Sequence, residues 1–134
     1  TIDKGRLGEE CSRLRDIFDK VTPLSLVLLD ESFSSTGAYE AAYIAAEVLA
    51  AFSRVQCRCL FSTHLHELAA RIDEINARAR ADGGSFIDTL VAGIEGEGRR
   101  SFKIYRAKPD GKSYARDIAE KYGLTYEEII KRFV

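Results

Sequence analysis

Apolar residues Leu14, Ile17, Phe18 and Val21 recur at three- and four-residue spacing, which predicts an amphipathic helix over residues 8–20. Pro23 closes it, because the residue before a proline is pushed out of helical geometry. Residues 25–30 then form a nearly continuous apolar run, the pattern of a strand buried on both faces of a parallel sheet flanked by helices. A polar loop over 32–36 leads into an Ala-rich stretch, 39–53, of high helix propensity. Residues 57–62 read as a second strand, with Arg58 at a less buried position. Strand, helix, strand in that order is a crossover unit and predicts parallel pairing.

The pattern changes after a further helical stretch, 66–80, which Gly83-Gly84 ends. Segments 85–94 and 101–108 read as two strands joined by a Gly- and charge-rich turn, which predicts an antiparallel hairpin. Pro109-Asp110-Gly111 is a turn signal. Two short helices follow, 114–122 and 126–133, with Gly123 ending the first and Thr125-x-x-Glu128 forming a capping box for the second. The expected class is α/β: part of a parallel sheet with flanking helices, a hairpin and a helical end.

Composition narrows the function classes. With 20 basic and 21 acidic residues the formal charge is −1, so this segment carries no excess of positive charge with which to grip a nucleic-acid backbone by itself. The longest apolar run is too short to span a membrane, no leader-like segment opens the chain, and a cytoplasmic location is the default expectation. Cys11, Cys57 and Cys59 are odd in number. Cys57-x-Cys59 lacks the two-residue gap of common zinc and redox pairs, so both are expected to pack as small apolar side chains.

Chemistry concentrates at two strand ends. A buried strand ending in Asp30-Glu31 delivers two carboxylates to the C-terminal edge of a parallel sheet, where open α/β folds bind their ligands. Asp30 suits Mg²⁺, held mainly through water, and Glu31 suits the orientation or deprotonation of an attacking water. The signal is weak alone, since an ordinary strand ending at a polar loop looks the same. The second strand strengthens it. Its end, Ser62-Thr63-His64, brings His64 beside Glu31 in a parallel arrangement, in reach of the same phosphate. His66 reads as a surface or capping residue at the next helix start.

Taken together, Ser25 to Glu31, then Ser34-Ser35-Thr36, then Thr63-His64-Leu65-His66-Glu67-Leu68 resemble the ATPase domain of the MutS family of DNA mismatch-recognition proteins. The closing segment, with Gly111-Lys112-Ser113-Tyr114-Ala115, Ile118-Ala119 and Gly123-Leu124, is similar to that family's helix-turn-helix end. The resemblance implies a partial P-loop NTPase sheet of the ABC type, with ATP and Mg²⁺ as cofactors of the intact protein. It makes Asp30 the metal residue, Glu31 the catalytic carboxylate and His64 the switch histidine. Ser34, Ser35 and Thr36 fall in a loop at a homodimer interface near the partner's nucleotide. Glu10 and Leu14 align with the signature helix, which reaches towards the partner's ATP. DNA would be bound through domains outside these residues. The implied division is 1–112 for the ATPase part and 113–134 for a helical dimerisation segment.

Two departures mark a divergent branch. The signature opens Ser-Thr-Phe in the family but Gly5-Arg6-Leu7 here, and the Gly-Arg-Gly-Thr-Ser loop becomes Phe33-Ser34-Ser35-Thr36-Gly37. No G-x-x-x-x-G-K-[ST] phosphate loop occurs in these residues, so the polypeptide alone is expected neither to bind ATP tightly nor to hydrolyse it. Rival readings are a half-site from another ABC-like DNA-maintenance ATPase, a dimerisation module built on the apolar set of the terminal helices, and a generic α/β domain. The helix-turn-helix outline also suggests DNA binding, against which stands the lack of a basic face.

Overall fold

In a computed structural model of the chain the structure describes residues 5–95, 99–109 and 112–133. The order of elements is α1 (Arg6–Lys20), β1 (Leu26–Asp30), α2 (Ala38–Val55), β2 (Arg58–Ser62), α3 (His66–Ala69), α4 (Ile72–Asp82), β3 (Leu90–Glu95), β4 (Arg99–Arg106), α5 (Lys112–Lys121) and α6 (Tyr126–Lys131). The class is mixed α/β. Residues 96–98, within the expected hairpin turn, and Asp110 and Gly111 of the expected Pro-Asp-Gly turn lie outside the described residues.

Two compact units divide between Ile87 and Asp88. The resemblance implies a division after 112; in the structure the second compact unit groups the hairpin with the terminal helices.

In the first unit β1 and β2 pair in parallel, with Leu26 opposite Arg58 and Asp30 opposite Ser62, joined by α2 as the crossover. Period-2 alternation turns Val27, Leu29, Cys59 and Phe61 to one face, where they are buried or packed against the core. α2 lays Ala41, Ala42, Ala45, Leu49 and Phe52 along a buried stripe. Its alanines let α3 and α4 approach closely, and Leu68 and Ile75 complete the cluster with Leu14 of α1. Phe18 stacks on Phe52 with centroids 4.4 Å apart, which ties the end of α1 to α2.

The expectation of strands buried on both faces is not met among the described residues. Leu26, Leu28 and Leu60 are 65%, 66% and 58% exposed, because the helices of this unit that contact the sheet cover its other face. An apolar run reports that a face is suited to burial, not what lies on it. The single helix expected over 66–80 is broken at Ala70–Arg71, where the Leu68 and Leu65 carbonyls accept short-range bonds and α4 restarts. α4 ends at Gly83 in the left-handed region (φ 77°), as the Gly-Gly signal required.

Residues 85–87 do not join the hairpin, whereas Thr89 extends it by one pair, its carbonyl accepting from the Ala107 amide at 3.2 Å. The Ser85 amide donates to the Ser53 carbonyl at 2.9 Å, and the Ile87 amide donates to Asn76 Oδ1 at 2.7 Å. Those two bonds commit the backbone to the first unit before β3 begins.

In the second unit β3 and β4 pair antiparallel, with an irregularity between Ala92 and Ile94. Gly123 at φ 69° ends α5, with the Leu124 amide donating to the Ala119 carbonyl at 2.7 Å. Thr125 caps α6: its Oγ1 accepts from the Glu128 amide and donates to the Glu128 carboxylate. The expected cap forms, with the carboxylate on the hydroxyl. Ile118, Tyr122, Leu124, Tyr126, Ile130 and Phe133 on these helices and their turns are all exposed.

Candidate functional site

β1 carries Asp30 to the C-terminal edge of the parallel pair, and the ladder continues one residue further: the Glu31 amide donates to the Ser62 carbonyl at 2.8 Å. The chain then turns sharply. Glu31 (φ 52°) and Phe33 (φ 69°) both occupy the left-handed region, which costs non-glycine residues of order 1–3 kcal/mol each. Two contacts offset that cost. The Phe33 ring is fully buried in the core cluster, and the Phe33 amide donates to Glu10 Oε2 at 2.5 Å.

Across the pair, β2 ends at Ser62 and the chain leaves through Thr63, whose Oγ1 accepts from the Leu65 amide at 3.0 Å. That small turn leaves His64 at the sheet edge. His64 Nε2 lies 2.7 Å from Glu31 Oε1. Their side chains are 86% and 47% exposed, so the pair adds little to stability in high dielectric. Its significance is geometric: an imidazole aims a carboxylate at the edge of the sheet.

The edge opens into a groove of about 540 Å³. One wall is α1, through Arg6, Glu10 and Arg13; the floor is Leu28 to Ser32, with Ser34 at the rim. Arg6 and Arg13 on the α1 wall and the Asp30 and Glu31 carboxylates on the floor suit a phosphate-bearing ligand together with a metal ion. Among the described residues no group of three or more His, Cys, Asp or Glu side chains forms a cage for a metal. Carboxylate and hydroxyl oxygens beside an open groove instead fit magnesium, which keeps several waters and shares its shell with substrate phosphates.

The structure therefore brings Asp30, Glu31, His64, Ser34 and Glu10 to one region, and His64 sits where the parallel register put it. Ser35 is exposed and Thr36 half-buried on the same loop. Leu14, aligned by resemblance with a helix reaching outward, is 6% exposed and belongs to the core. Glu10 spends one carboxylate oxygen on its own chain's loop. His66 is exposed at the first residue of α3, as expected of a surface residue. Phe33 was missed by sequence reasoning, which treated 32–36 as polar loop; a lone aromatic inside such a loop was the available signal.

The cysteines stay outside the site. All three are free thiols, and burial, with Cys57 nearby, pushes the Cys59 thiol up to about 11. The shift makes Cys59 a poorer nucleophile at neutral pH than a free thiol.

The MutS domain V family model matches residues 3–124. The DNA mismatch repair protein MutS of Chloroflexus aurantiacus is 35% identical over 116 residues, 83% of this chain and 11% of that protein. That of Erythrobacter litoralis is 34% identical over 124 residues, 84% of this chain and 14% of the relative. That of Carboxydothermus hydrogenoformans is 32% identical over 130 residues, 92% of this chain and again 14% of the relative. The chain thus spans a small part of the length of the relatives it matches. Matched by the domain V model over most of its residues and by these proteins at 32–35% identity, the chain belongs to the MutS family.

Proposed function

We propose that this chain supplies the hydrolytic half of an ATP site in a MutS-like ATPase whose nucleotide state controls a dimer on DNA. The observation that carries the reading is the Glu31–His64 contact at the C-terminal edge of a parallel strand pair. Asp30-Glu31 reads as a Walker B end and β1–β2 as part of a P-loop NTPase sheet. A phosphate loop on the rest of the protein would hold the β- and γ-phosphates, because these residues contain none.

In this reading Asp30 would hold magnesium through the ion's hydration shell, and the metal would supply neutralisation of phosphate charge. Glu31 accepts a hydrogen bond from the attacking water and draws off its proton. His64 donates from Nε2 to Glu31 Oε1, which fixes the carboxylate's direction and keeps its other oxygen for water. The Ser34-Ser35-Thr36 loop and the N-terminal end of α1, with Gly5 where the family has serine and Arg6 beside it, face a second subunit's nucleotide. An intact γ-phosphate then bridges two subunits, and its loss releases them.

The exposed apolar set on α5 and α6 favours a contribution of the second unit to the same dimer. With 20 basic against 21 acidic residues the chain has no net positive charge, and DNA contact is assigned to other domains of the full-length protein.

His64→Ala in the full-length protein tests the reading. Loss of the contact that aims the Glu31 carboxylate should lower ATP turnover about tenfold to a hundredfold, with ATP affinity little changed. Steady-state phosphate release with parallel nucleotide-binding titrations reads both quantities. Unchanged turnover would remove His64 from the site and the main support for the proposal.

A further inference from the structure

We infer that Glu10 is a positioning residue for its own chain's hydrolytic loop, holding Glu31 in place through the Phe33 amide. The inference rests on the ATPase reading above and gives Glu10 a task different from contact with a partner's nucleotide.

The geometry is specific. Glu10 and Phe33 are 23 residues apart, yet the Glu10 carboxylate meets the Phe33 N–H at 2.5 Å. Phe33 stands two residues after Glu31, and both adopt left-handed backbone conformations that bulky side chains ordinarily avoid. A loop bent twice in this way persists only where its surroundings over-determine it. The Phe33 ring is anchored in the core beside Leu14, one helical turn from Glu10 on α1. Ring and amide are thus gripped by the same helix from two directions. With the amide held, the position from which Glu31 meets His64 is fixed as well.

What the task requires is an acceptor oxygen at this reach, which the Glu10 carboxylate supplies. Gln at position 10 keeps both length and an acceptor oxygen but loses the charge. Asp keeps the charge but is one methylene short.

The experiment compares Glu10→Ala, Glu10→Asp and Glu10→Gln in the full-length protein, with Glu31→Gln as reference. The readouts are kcat and KM for Mg²⁺-ATP, with amide hydrogen exchange across the peptide containing Phe33. The expected result is that Ala and Asp lower kcat about tenfold or more at nearly constant KM and speed Phe33 exchange, while Gln stays close to wild type in both. Retention of kcat by Asp with loss by Gln would overturn the inference in favour of a charge acting on ligand or metal. A wild-type kcat and exchange rate in all three variants would overturn it also, and with Glu31→Gln inactive the ATPase reading would stand. Undiminished turnover in Glu31→Gln would bring down that reading and the inference with it. Because Gln and Asp differ from Glu in opposite respects, a general loss of folding in the Ala variant leaves the comparison decisive.

Discussion

Glu31→Gln in the full-length protein should abolish steady-state ATP turnover, with a fall of about 10²–10⁴-fold, while ATP binding is preserved. The substitution keeps the size of the side chain and an oxygen to accept from His64 Nε2, so the contact now 2.7 Å long has no steric reason to open. What disappears is the basic carboxylate at the strand edge. Bound ATP would then persist intact, and the dimer that it bridges should persist with it. Sedimentation in Mg²⁺-ATP should therefore find the variant locked as a dimer under conditions where the wild-type protein cycles between states. A variant that hydrolyses at the wild-type rate would show that Glu31 is an ordinary loop residue.

Phe33→Ala should produce the largest loss of stability of any substitution in the loop, about 3–5 kcal/mol. Phe33 has no exposed surface and sits in the core cluster with Leu14, Ala41, Ala45 and Leu68, so truncation leaves a cavity that fixed helices cannot close. Domains are stable by only ~5–15 kcal/mol, which makes that loss a large share of the whole. A drop of about 10–20 °C in the domain's melting temperature is expected. Ser35→Ala, on the same loop but exposed, should leave it almost unchanged. The loss should extend to turnover, because the ring anchors the turn that presents Glu31. A melting temperature close to wild type would contradict the packing described for Phe33.

The site's outline was legible because period and register are written in local pattern. The apolar run ending at Asp30-Glu31 fixed the first strand end, and a parallel crossover sufficed to bring His64 alongside. What stayed illegible depends on contacts distant in the chain. Glu10 and Phe33 meet across 23 residues, and a polar-loop reading of 32–36 has no means of finding an aromatic that folds back into the core. The break at Ala70–Arg71 carries neither Gly nor Pro, so no local signal marks it. Leu28 and Leu60 illustrate the converse limit: their hydrophobicity was read correctly, while the face that they occupy lies uncovered among the described residues.

These observations converge on one unit, Glu31 held by His64 on one side and by the loop anchored through Phe33 and Glu10 on the other. The most direct measurement is single-turnover hydrolysis of bound ATP in the full-length protein, comparing wild type, Glu31→Gln, His64→Ala and the double variant. Residues that act as a unit give strongly non-additive penalties. The double variant should be no slower than Glu31→Gln alone, because His64 acts through the carboxylate already lost. Penalties that multiply would contradict the account and assign His64 an independent role.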